Sequence, residues 1–456
     1  MLRLRLLSLF LFAFFAQCQE PVFSQKGKKN TDQQAGFDPT KRPKDLTDDQ
    51  LLELVQRQTF RYFWDFAHPV SFMARERSNI AYDYGDEVVT TGGTGFGVMA
   101  MIVAAERNWV PRDSVVNRLL TMVRFLSKAD HFHGVFPHWL HGATGKTIPF
   151  SRKDDGGDLV ETSFLFQGLL AVRQYFDRDT PGEKELRNRI SSLWHDVEWS
   201  WHQKDNGHSL YWHWSPNHGW AMDFELRGYN EALITYVLAA SAPRYPIHPE
   251  VYHKCWAQSS HFKNGKEFYG VKLPLGFDYG GPLFFAHYSF LGLNPKGLKD
   301  RYADYWEQNV SHTLINYRHC VENPKNYKGY GENCWGLTAS DTYNGYNAHS
   351  PDNDLGTITP TAALSSFPYT PEQSMKALKH FYFELGDKMW SEYGFIDAFN
   401  PTQNWYANSH LAIDQGPIIV MIENYRTGLL WNLFMKDPDI QRGLQKLGFT
   451  TGAPRD

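Results

Sequence analysis

The sequence predicts an all-α fold, an (α/α)6 barrel with long rim loops, because two kinds of helical segment alternate along the chain. Apolar residues recur at helical spacing throughout, whereas the alternating pattern of strands is sparse. Amphipathic segments alternate with segments that are apolar on most sides, and a helix of the second kind is buried on most sides. Six segments of each kind predict six helical hairpins closed into a ring, with the buried helices inside.

The amphipathic segments are predicted to form the outer layer. They occupy 46–67, 111–129, 181–201, 249–260, 300–321 and 371–390. Thr47 is a predicted N-cap of the first segment. Three others begin at Pro111, Pro181 and Pro371, and proline is favoured at the first position of a helix.

The apolar segments are predicted to form the inner layer. They begin near residues 94, 160, 229, 282, 359 and 416, and each follows a loop rich in glycine, aspartate or aromatic residues. Strict alternation of outer and inner helices makes the six inner helices parallel, so their N-terminal ends share one rim. Long loops on a rigid scaffold are where functional sites are usually built.

Composition limits the functional classes. The chain has 456 residues and a formal net charge of −4, which is not the charge of a nucleic-acid-binding protein. Aromatic residues make up 16% of the chain, and many lie in polar stretches such as YWHWSPNHGW at 211–220. Such side chains pack in cores but also form flat platforms for sugar rings. We expect a single catalytic domain over 47–456. We also expect it to be a monomer that needs no cofactor.

The N-terminus predicts export. Arg3 and Arg5 precede an apolar run that is too short to span a membrane, which is the pattern of a signal peptide over 1–18. Cys18 follows this run and is a candidate lipid-attachment cysteine, and 19–46 is a polar tether. We therefore expect the periplasm or an outer-membrane lipoprotein, with membrane contact only through the lipid. The other three cysteines are an odd number and predict no disulfide framework.

Carboxylates gather at the predicted rim. Five of the six inner segments are preceded or opened by acids, and these are Asp154, Asp155, Asp158, Glu161, Glu231, Asp278, Asp341, Asp352, Asp354, Asp397 and Asp414. Helix dipoles explain one acid per helix. They do not explain the tyrosine, tryptophan, histidine and asparagine residues that surround these acids.

Opposed carboxylates with aromatic walls indicate glycoside hydrolysis. In that reaction one carboxylic acid protonates the leaving oxygen, and a second, ionised carboxylate activates water or attacks the sugar. A wide separation of the two groups leaves room for water and inverts the anomeric centre, whereas a narrow one retains it. Acids on different inner helices across a barrel mouth favour the wide separation.

Five long stretches resemble one family. They include DDGGDLVETSFLFQGLL, RGYNEALITYVLAAS, YADYWEQNVSHTLINYRHC, a stretch from GYGENCWGLTASDTYNGYNAHS to TPE, and YGFIDAFNPTQNWYANSHLAIDQGPIIVMIENYRTGLLW. Together they run from about residue 90 to 447. The chain resembles the glycoamylase-like domain family and, more narrowly, glycoside hydrolase family 144, the bacterial endo-β-1,2-glucanases.

The resemblance implies an inverting enzyme that cuts within linear β-1,2-glucan and releases β-1,2-glucooligosaccharides such as sophorose. Glu231, in YNEAL, matches the general acid of the family, and Asp158 and Glu161, in DLVET, match acids of its cleft. Each of these residues could instead have a purely structural role, as a helix N-cap or as an acid in the first turn of a helix.

The general base stays open at this point. Asp414 is the preferred base because it precedes an inner helix. Its alternative, structural role is to cap the N-terminus of that helix. Asp397 and Glu423 are alternatives. A hydroxyl group of the substrate can also relay the proton, in which case the distance between the carboxylates is not diagnostic.

The candidate site is therefore a set of thirteen residues. The catalytic candidates are Glu231, Asp414 and Asp158. The substrate-binding candidates are Glu161, Asp154, Arg227, His287, Tyr288, Trp335, Tyr343, His349, Asp397 and Trp405.

Other readings have weaker support. Four histidines at 131, 133, 138 and 141 lack a diagnostic ligand spacing, so no metal is expected. PDNDLG lacks the later glutamate of a calcium-binding loop. GFGVMA lacks the neighbouring strands of a dinucleotide-binding site, so we expect the small residues of GFGVMA to allow close packing of helices. The alternatives are a hydrolase of another glucan linkage, a polysaccharide lyase using His287 and Tyr288, and a non-catalytic glycan-binding lipoprotein.

Overall fold

Two concentric layers of helices form the molecule in the computed structural model, which describes residues 37–81 and 84–452. In chain order the helices are α1 (Asp48–Trp64), α2 (Thr91–Glu106), α3 (Arg112–Leu126), α4 (Leu159–Tyr175), α5 (Pro181–Asp196), α6 (Leu233–Ser241), α7 (Pro249–Val251), α8 (Tyr305–Glu322), α9 (Pro360–Leu364), α10 (Pro371–Lys379), α11 (Gly386–Met389), α12 (Ala412–Arg426), α13 (Leu429–Met435) and α14 (Pro438–Lys446). Single π turns extend α7 and α10, at Tyr252–Trp256 and His380–Glu384.

The predicted (α/α)6 barrel is confirmed. Its outer layer contains α1, α3, α5, α7, α8 and α10, and its inner layer contains α2, α4, α6, α9 and α12. The fourth inner position is occupied by two 3₁₀ turns, Leu283–Ala286 and Tyr288–Leu291, rather than by an α-helix. A short apolar run does not distinguish these two conformations, because 3₁₀ and α turns bury similar side chains over so few residues.

Local capping sets where the outer helices begin. Thr47 accepts a hydrogen bond from the backbone N–H of Gln50, and the Gln50 side chain accepts one from the backbone of Thr47, so the predicted cap is a full capping box. The side chain of Thr180 caps α5 by accepting from the backbone N–H of Glu183, and Pro181 takes the first helical position.

Glycines allow α2 and α4 to cross at backbone contact. A Cβ atom on Gly95 would lie 2.1 Å from the carbonyl oxygen of Phe164, and one on Gly168 would lie 2.2 Å from the carbonyl oxygen of Gly95. This confirms that the small residues of GFGVMA serve close packing. Because α2 is buried on all sides, the crossing holds two inner helices in one fixed relation.

Short antiparallel hairpins build the loops at the rim. The strands are β1 (Val88–Thr90), β2 (Trp139–His141), β3 (Thr147–Ile148), β4 (Gly157–Asp158), β5 (His213–Trp214), β6 (Glu267–Phe268), β7 (Val271–Lys272), β8 (Ala339–Thr342), β9 (Gly345–Ala348), β10 (Trp390–Ser391), β11 (Gly394–Phe395), β12 (Phe399–Asn400) and β13 (Trp405–Tyr406). They pair as β1–β2–β3, β4–β5, β6–β7, β8–β9, β10–β11 and β12–β13. In β4–β5, Asp158 lies opposite His213.

The C-terminal helices fill the end of the barrel opposite the rim. The indole N–H of Trp431, in α13, donates to the carbonyl oxygen of Phe290 at 2.7 Å. Phe434 lies against Gly292 and Gln167, and α14 packs along α6. Access to the interior is therefore from the rim.

The predicted signal peptide, Cys18 and residues 19–36 of the predicted tether lie outside the described residues. The last part of the tether is packed on the barrel, since Arg42 is buried and donates to the carbonyl oxygen of Tyr382 at 2.8 Å. No helix within 37–81 and 84–452 is both long enough and apolar enough to cross a membrane. The cysteines in this part of the chain, Cys255, Cys320 and Cys334, are buried and unpaired.

We predict that Gly95→Ala destabilises the fold by about 1–3 kcal/mol, because the added methyl group has no room at the α2–α4 crossing. Urea unfolding followed by circular dichroism measures the change. Gly182→Ala is the matched control: its Cβ would lie 3.4 Å from Val116, an ordinary contact, so stability should be unchanged or slightly higher. Equal stability of the two variants would contradict the role given to the crossing.

Candidate active site

The inner helices bring two groups of charged side chains to the rim. The first, which we call the His138 cluster, consists of His138, Asp154, Asp158, Glu161 and His213. It is built from the β2 and β4–β5 hairpins and the first turn of α4. Its three carboxylates and His213 are all less than a tenth exposed.

Asp158 is the N-cap of α4 and the centre of this cluster. Its Oδ1 accepts from the backbone N–H groups of Val160 and Glu161, at 3.0 and 2.9 Å, and from the indole of Trp212 at 2.9 Å. Its Oδ2 lies 3.0 Å from Nδ1 of His138. Three donors on one oxygen and a histidine on the other hold this carboxylate in place, so it is an anchor for its neighbours.

Glu161 links α4 to α2. Its Oε2 accepts from the backbone N–H of Gly92 at 2.8 Å. Burial raises the pKa of this carboxyl to about 7, against the lowering effect of the His138 charge. A glutamate with this pKa exchanges its proton near neutral pH, which suits acid–base chemistry.

His138 holds a charge in this cluster. Burial opposes its protonation, but Glu161 and Asp158 together raise its pKa to about 10. One ligand atom each of His138, Asp154 and Asp158 lie within 4.8 Å of one another, which is the spacing of a metal site. An imidazolium is not a metal ligand, however, and its Nδ1 is already directed at Asp158. The geometry therefore favours an ionic network over a metal centre.

Glu231 lies just before α6 at the same rim. It is 9% exposed, and Asn230 caps the turn by accepting from the N–H of Ala232 at 2.9 Å. Ser289 donates to the carbonyl oxygen of Glu231, which ties the residue to the second 3₁₀ turn. Burial, together with the negative charges of Glu161 and Asp158, raises the pKa of Glu231 to about 8. This glutamate therefore carries its proton at neutral pH.

The second group, which we call the Arg77 cluster, consists of Glu76, Arg77, Asp341, Asp397 and Asp414. Nη1 of Arg77 donates to both carboxylate oxygens of Asp341, at 3.2 and 3.0 Å, and its Nε donates to Glu76 at 2.8 Å. The backbone N–H of Asp341 donates to Oδ2 of Asp397 at 2.7 Å. This cluster joins the loop before β1 to β8 and to the first turn of α12.

Asp397 and Asp414 form a carboxyl pair. Burial and the charge of Asp341 raise the pKa of Asp397 to about 8. Burial, and then the charge of Asp397 and the contact with its carboxyl group, raise the pKa of Asp414 well above its ordinary value. Apart from this contact, the side-chain oxygens of Asp414 have no hydrogen-bond partner among the described residues. Two acids in contact cannot both ionise readily, so the pair holds at least one proton over the neutral range.

Tyr288 lies between the two clusters. Burial and then the charges of Asp414, Glu161 and Glu231 raise the pKa of its hydroxyl group well above the ordinary value. Its ring stacks on Phe284, with centroids 5.0 Å apart, and forms the aromatic floor of the site with Phe96 and Phe164. Acids from α4, from the turn before α6 and from α12 therefore lie within electrostatic range of one hydroxyl group.

The other predicted site residues lie in more varied positions. His287 is buried and its Nε2 lies 2.9 Å from the hydroxyl of Ser366; burial lowers its pKa to about 3. His349 is fully buried, and its ring nitrogens have no hydrogen-bond partner among the described residues. Tyr343 is 42% exposed at the tip of β8–β9, and Trp405 is half-buried in β13.

Three candidates lie apart from the clusters. Trp335 is fully buried and its indole donates to the carbonyl oxygen of Gln373, so in this structure it packs in the core. Arg227 is largely exposed and pairs with Glu225. Glu423, an alternative for the base, is at the far end of α12, where Nε of Arg107 binds it at 2.6 Å. That ion pair gives Glu423 a structural role.

Sequence reasoning missed the charged partners of the acids. His138 was considered only as one of four possible metal ligands, while His213, Glu76 and Arg77 were not considered at all. The pairing of β4 with β5 brings His213 to Asp158. Arg77 reaches Asp341 across 264 positions of the chain, a contact that no local pattern predicts.

The stretch YWHWSPNHGW folds into a ring stack rather than an open platform. Trp201 lies between His133, with centroids 3.7 Å apart, and Trp220, with centroids 4.9 Å apart. Trp214 meets Trp201 edge-on at 5.2 Å. Both faces of the Trp201 ring are therefore covered by other rings.

Comparison with known proteins identifies the family. The family model named Glycoamylase matches residues 223–438. The chain is 61% identical to a protein of known structure from Bacteroides uniformis, with a TM-score of 0.88 and coverage of 90% of this chain and 99% of that one. The chain belongs to the glycoamylase-like family of glycoside hydrolases, of the family 144 type.

Two further members of this glycoamylase-like family carry names that state an activity. An endo-β-1,2-glucanase from Chitinophaga pinensis, solved with sophorotriose and glucose, is 56% identical, with a TM-score of 0.87 and coverage of 89% of this chain and 99% of that one. An exo β-1,2-glucooligosaccharide sophorohydrolase (non-reducing end) from Parabacteroides distasonis is 49% identical over 424 residues. The alignment covers 88% of this chain but only 58% of that curated relative.

We predict that His138→Gln destabilises the protein more at about pH 6 than at about pH 10. The pKa of His138 is raised from 6.5 to about 10 on folding, so its stabilising contribution is complete below about pH 6.5 and is lost as the pH rises through about 10. Urea unfolding at the two pH values measures the difference. His208→Gln, at an exposed loop position, should have the same small effect at both. A His138→Gln effect that is independent of pH would contradict the charged state assigned to this histidine.

Proposed function

We propose that this protein is an exported hydrolase that cleaves internal linkages of linear β-1,2-glucan with inversion, releasing β-1,2-glucooligosaccharides such as sophorose. The observation that carries the proposal is that Glu231 and Asp414, buried acids with raised pKa values from different parts of the rim, both act electrostatically on the hydroxyl group of Tyr288. The related endo-β-1,2-glucanase from Chitinophaga pinensis supports the linkage and the internal mode of cleavage. The signal pattern over 1–18 supports export.

Glu231 is the general acid in this proposal. Protonation of the leaving oxygen requires a carboxylic acid that keeps its proton at the working pH, and burial with two nearby acids raises the pKa of Glu231 to about 8. Among the described residues no ion pair reaches Glu231. Its proton is therefore not displaced by a neighbouring cation.

The Asp397–Asp414 pair is the general base in this proposal. Once the pair has lost one of its two protons it carries one negative charge. That charge can accept a proton from the attacking water, either directly or through a hydroxyl group of the substrate. Because Asp397 is held by the N–H of Asp341, while Asp414 has no other hydrogen-bond partner in the described part of the chain, Asp414 is the member that meets the substrate.

The positions of the acid and the base, at the starts of different inner helices, support inversion in this proposal. Glu231 precedes α6, whereas Asp414 is in α12, so the substrate lies between them and water attacks from the side opposite the leaving group. Asp158 and Glu161 then act on the α4 side of the site. Glu161 binds the substrate, and Asp158 holds Glu161 in place through the first turn of α4.

The polysaccharide lyase alternative has less support. A lyase needs cations that neutralise a uronate and a base near the sugar carbon. The rim is rich in carboxylates, and His287 is directed at Ser366 rather than at the space shared by the clusters.

We expect Glu231→Gln to lower kcat/KM on linear β-1,2-glucan by at least about a hundredfold, because an amide cannot supply the proton. Reducing-end assays on the purified variant measure this, and circular dichroism checks that it folds. Glu225→Gln is a matched control, since Glu225 pairs with the exposed Arg227 outside both clusters; it should retain activity. Near-normal turnover by Glu231→Gln would remove Glu231 from the mechanism.

We expect the wild-type protein to release oligosaccharides of several lengths from linear β-1,2-glucan and to leave β-1,3-, β-1,4- and α-glucans intact. Chromatography of early products separates the modes of cleavage, and proton NMR of the first products reports the anomer. Release of a single disaccharide from the first minutes would indicate an exo mode instead. Binding to glucan without new reducing ends would indicate a glycan-binding protein, and retention of the anomer would exclude the inverting mechanism.

A further inference from the structure

We propose that Arg77 is a positioning residue that sets the ionisation of the Asp397–Asp414 pair through Asp341. This inference rests on the proposed function for its kinetic test, because the pair must act as the base in glucan hydrolysis. Arg77 acts on the pair in two ways: its own charge lowers the pKa of Asp397, and it holds Asp341, whose charge raises the pKa of both members.

A continuous chain of contacts joins Arg77 to the pair. The guanidinium binds both carboxylate oxygens of Asp341, at 3.0 and 3.2 Å. Ser409 also donates to Oδ2 of Asp341, at 2.5 Å. The backbone N–H of Asp341 then donates to Asp397 at 2.7 Å, and the backbone N–H of Asp397 donates to the carbonyl oxygen of Ser409 at 2.9 Å. Asp341 is thus fixed to Asp397 directly and through Ser409.

The backbone around Arg77 is held beside the loop that enters α12. Arg77 and Leu411 form an antiparallel bridge, and the N–H of Ala412 donates to the carbonyl oxygen of Glu76 at 3.0 Å. The N–H of Ser78 donates to the carbonyl oxygen of His410 at 3.0 Å. Arg77 therefore keeps its place relative to Asp414, which lies in the first turn of α12.

The charged groups around the Asp397–Asp414 pair show how Arg77 affects the ionisation of the pair. The groups that act electrostatically on the pair, on Glu76 or on the adjoining tyrosines are Glu76, Arg75, Arg77, His138, Glu161, Glu231, Asp341, Tyr62, Tyr288 and Tyr346. Four of these ten groups are carboxylates and three are cations. Asp341 raises the pKa of both members of the pair, whereas Arg77 lowers that of Asp397. Without Arg77 the negative charge of Asp341 would act on the pair uncompensated.

We expect Arg77→Met to move the acidic limb of the kcat/KM profile on β-1,2-glucan to higher pH by about 1 unit, since the pair then ionises later. Arg77→Lys retains the charge and should keep the limb near its wild-type position, even if kcat falls. A purely structural role would lower activity at every pH without moving the limb. That result would overturn the proposal.

Asp341→Asn gives an independent test with a nearly unchanged side-chain shape. It removes the negative charge that raises the pKa of the pair, so the acidic limb should move to lower pH. The double variant with Arg77→Met removes one charge of each sign and should return the limb towards wild type. A limb that stays in place in Asp341→Asn, or that moves to higher pH, would overturn the proposal even if Arg77→Met does not fold.

Arg112→Met is the matched control. Arg112 binds Glu183 through two hydrogen bonds, at 2.8 and 3.0 Å, between the outer helices α3 and α5. Its loss removes a comparable ion pair far from the rim and should leave the pH profile in place. A shift as large as that of Arg77→Met would show a general effect of lost stability and would overturn the proposal.

A measurement on the free protein separates this inference from the proposed function. Infrared titration of aspartate labelled with ¹³C reports the pair directly, with Asp397→Asn and Asp414→Asn used to assign its signal. The titration midpoint should rise in Arg77→Met and fall in Asp341→Asn. If these shifts occur but the protein does not hydrolyse β-1,2-glucan, the proposed function fails and the role of Arg77 stands. If the protein hydrolyses β-1,2-glucan but the titration midpoint does not shift, the proposed function stands and the role given to Arg77 is wrong.

Discussion

Backbone contact between α2 and α4 is the constraint on which the active site depends. Gly95 and Gly168 let the two helices approach until a Cβ atom on either residue would overlap main-chain atoms. At that distance the N–H of Gly92, at the start of α2, reaches the carboxylate of Glu161 in α4. The free end of one helix thus stabilises the acid of its neighbour. If the helices crossed at a greater distance, the N–H of Gly92 and the carboxylate of Glu161 would hydrogen-bond to water instead of to each other. The His138 cluster would then lose its link to α2.

The rim balances many acids against few cations. Each cluster contains a positive side chain that acts on more than one acid: His138 binds Asp158 and interacts electrostatically with Glu161 and Asp154, and Arg77 binds Glu76 and Asp341. These cations keep part of each cluster ionised despite burial. Glu231, by contrast, has no ion pair with a cation among the described residues and keeps its proton. In a site of low polarity this division produces acids and bases of different strength from side chains of one chemical type.

Much of the fold was predictable because its signals are local. Pro181, Thr47 and the change from amphipathic to fully apolar segments mark helix starts and layers, and the structure follows them closely. The 3₁₀ turns at the fourth inner position were not predictable, since a short and mostly apolar stretch such as LFFAHYSFL can adopt either conformation.

The site was predictable only in part. Acids that open inner helices, such as Glu231 and Asp414, are marked by their position, and the structure brings them to one rim. Their partners come from remote loops: Arg77 meets Asp341, and His213 meets Asp158, only because hairpins and bridges fold over the rim. An aromatic residue offers even less information. Trp335 and Tyr343 have similar surroundings in the sequence, yet the first is fully buried and the second is at an exposed hairpin tip.

Trp431 and Phe434, in the C-terminal helices, close the end of the barrel that lies away from the rim. A long chain molecule therefore could not pass along the barrel axis from one end to the other. Any extended ligand would have to enter and leave on the side of the rim hairpins, so the lengths of those hairpins would limit how much of it the barrel can hold.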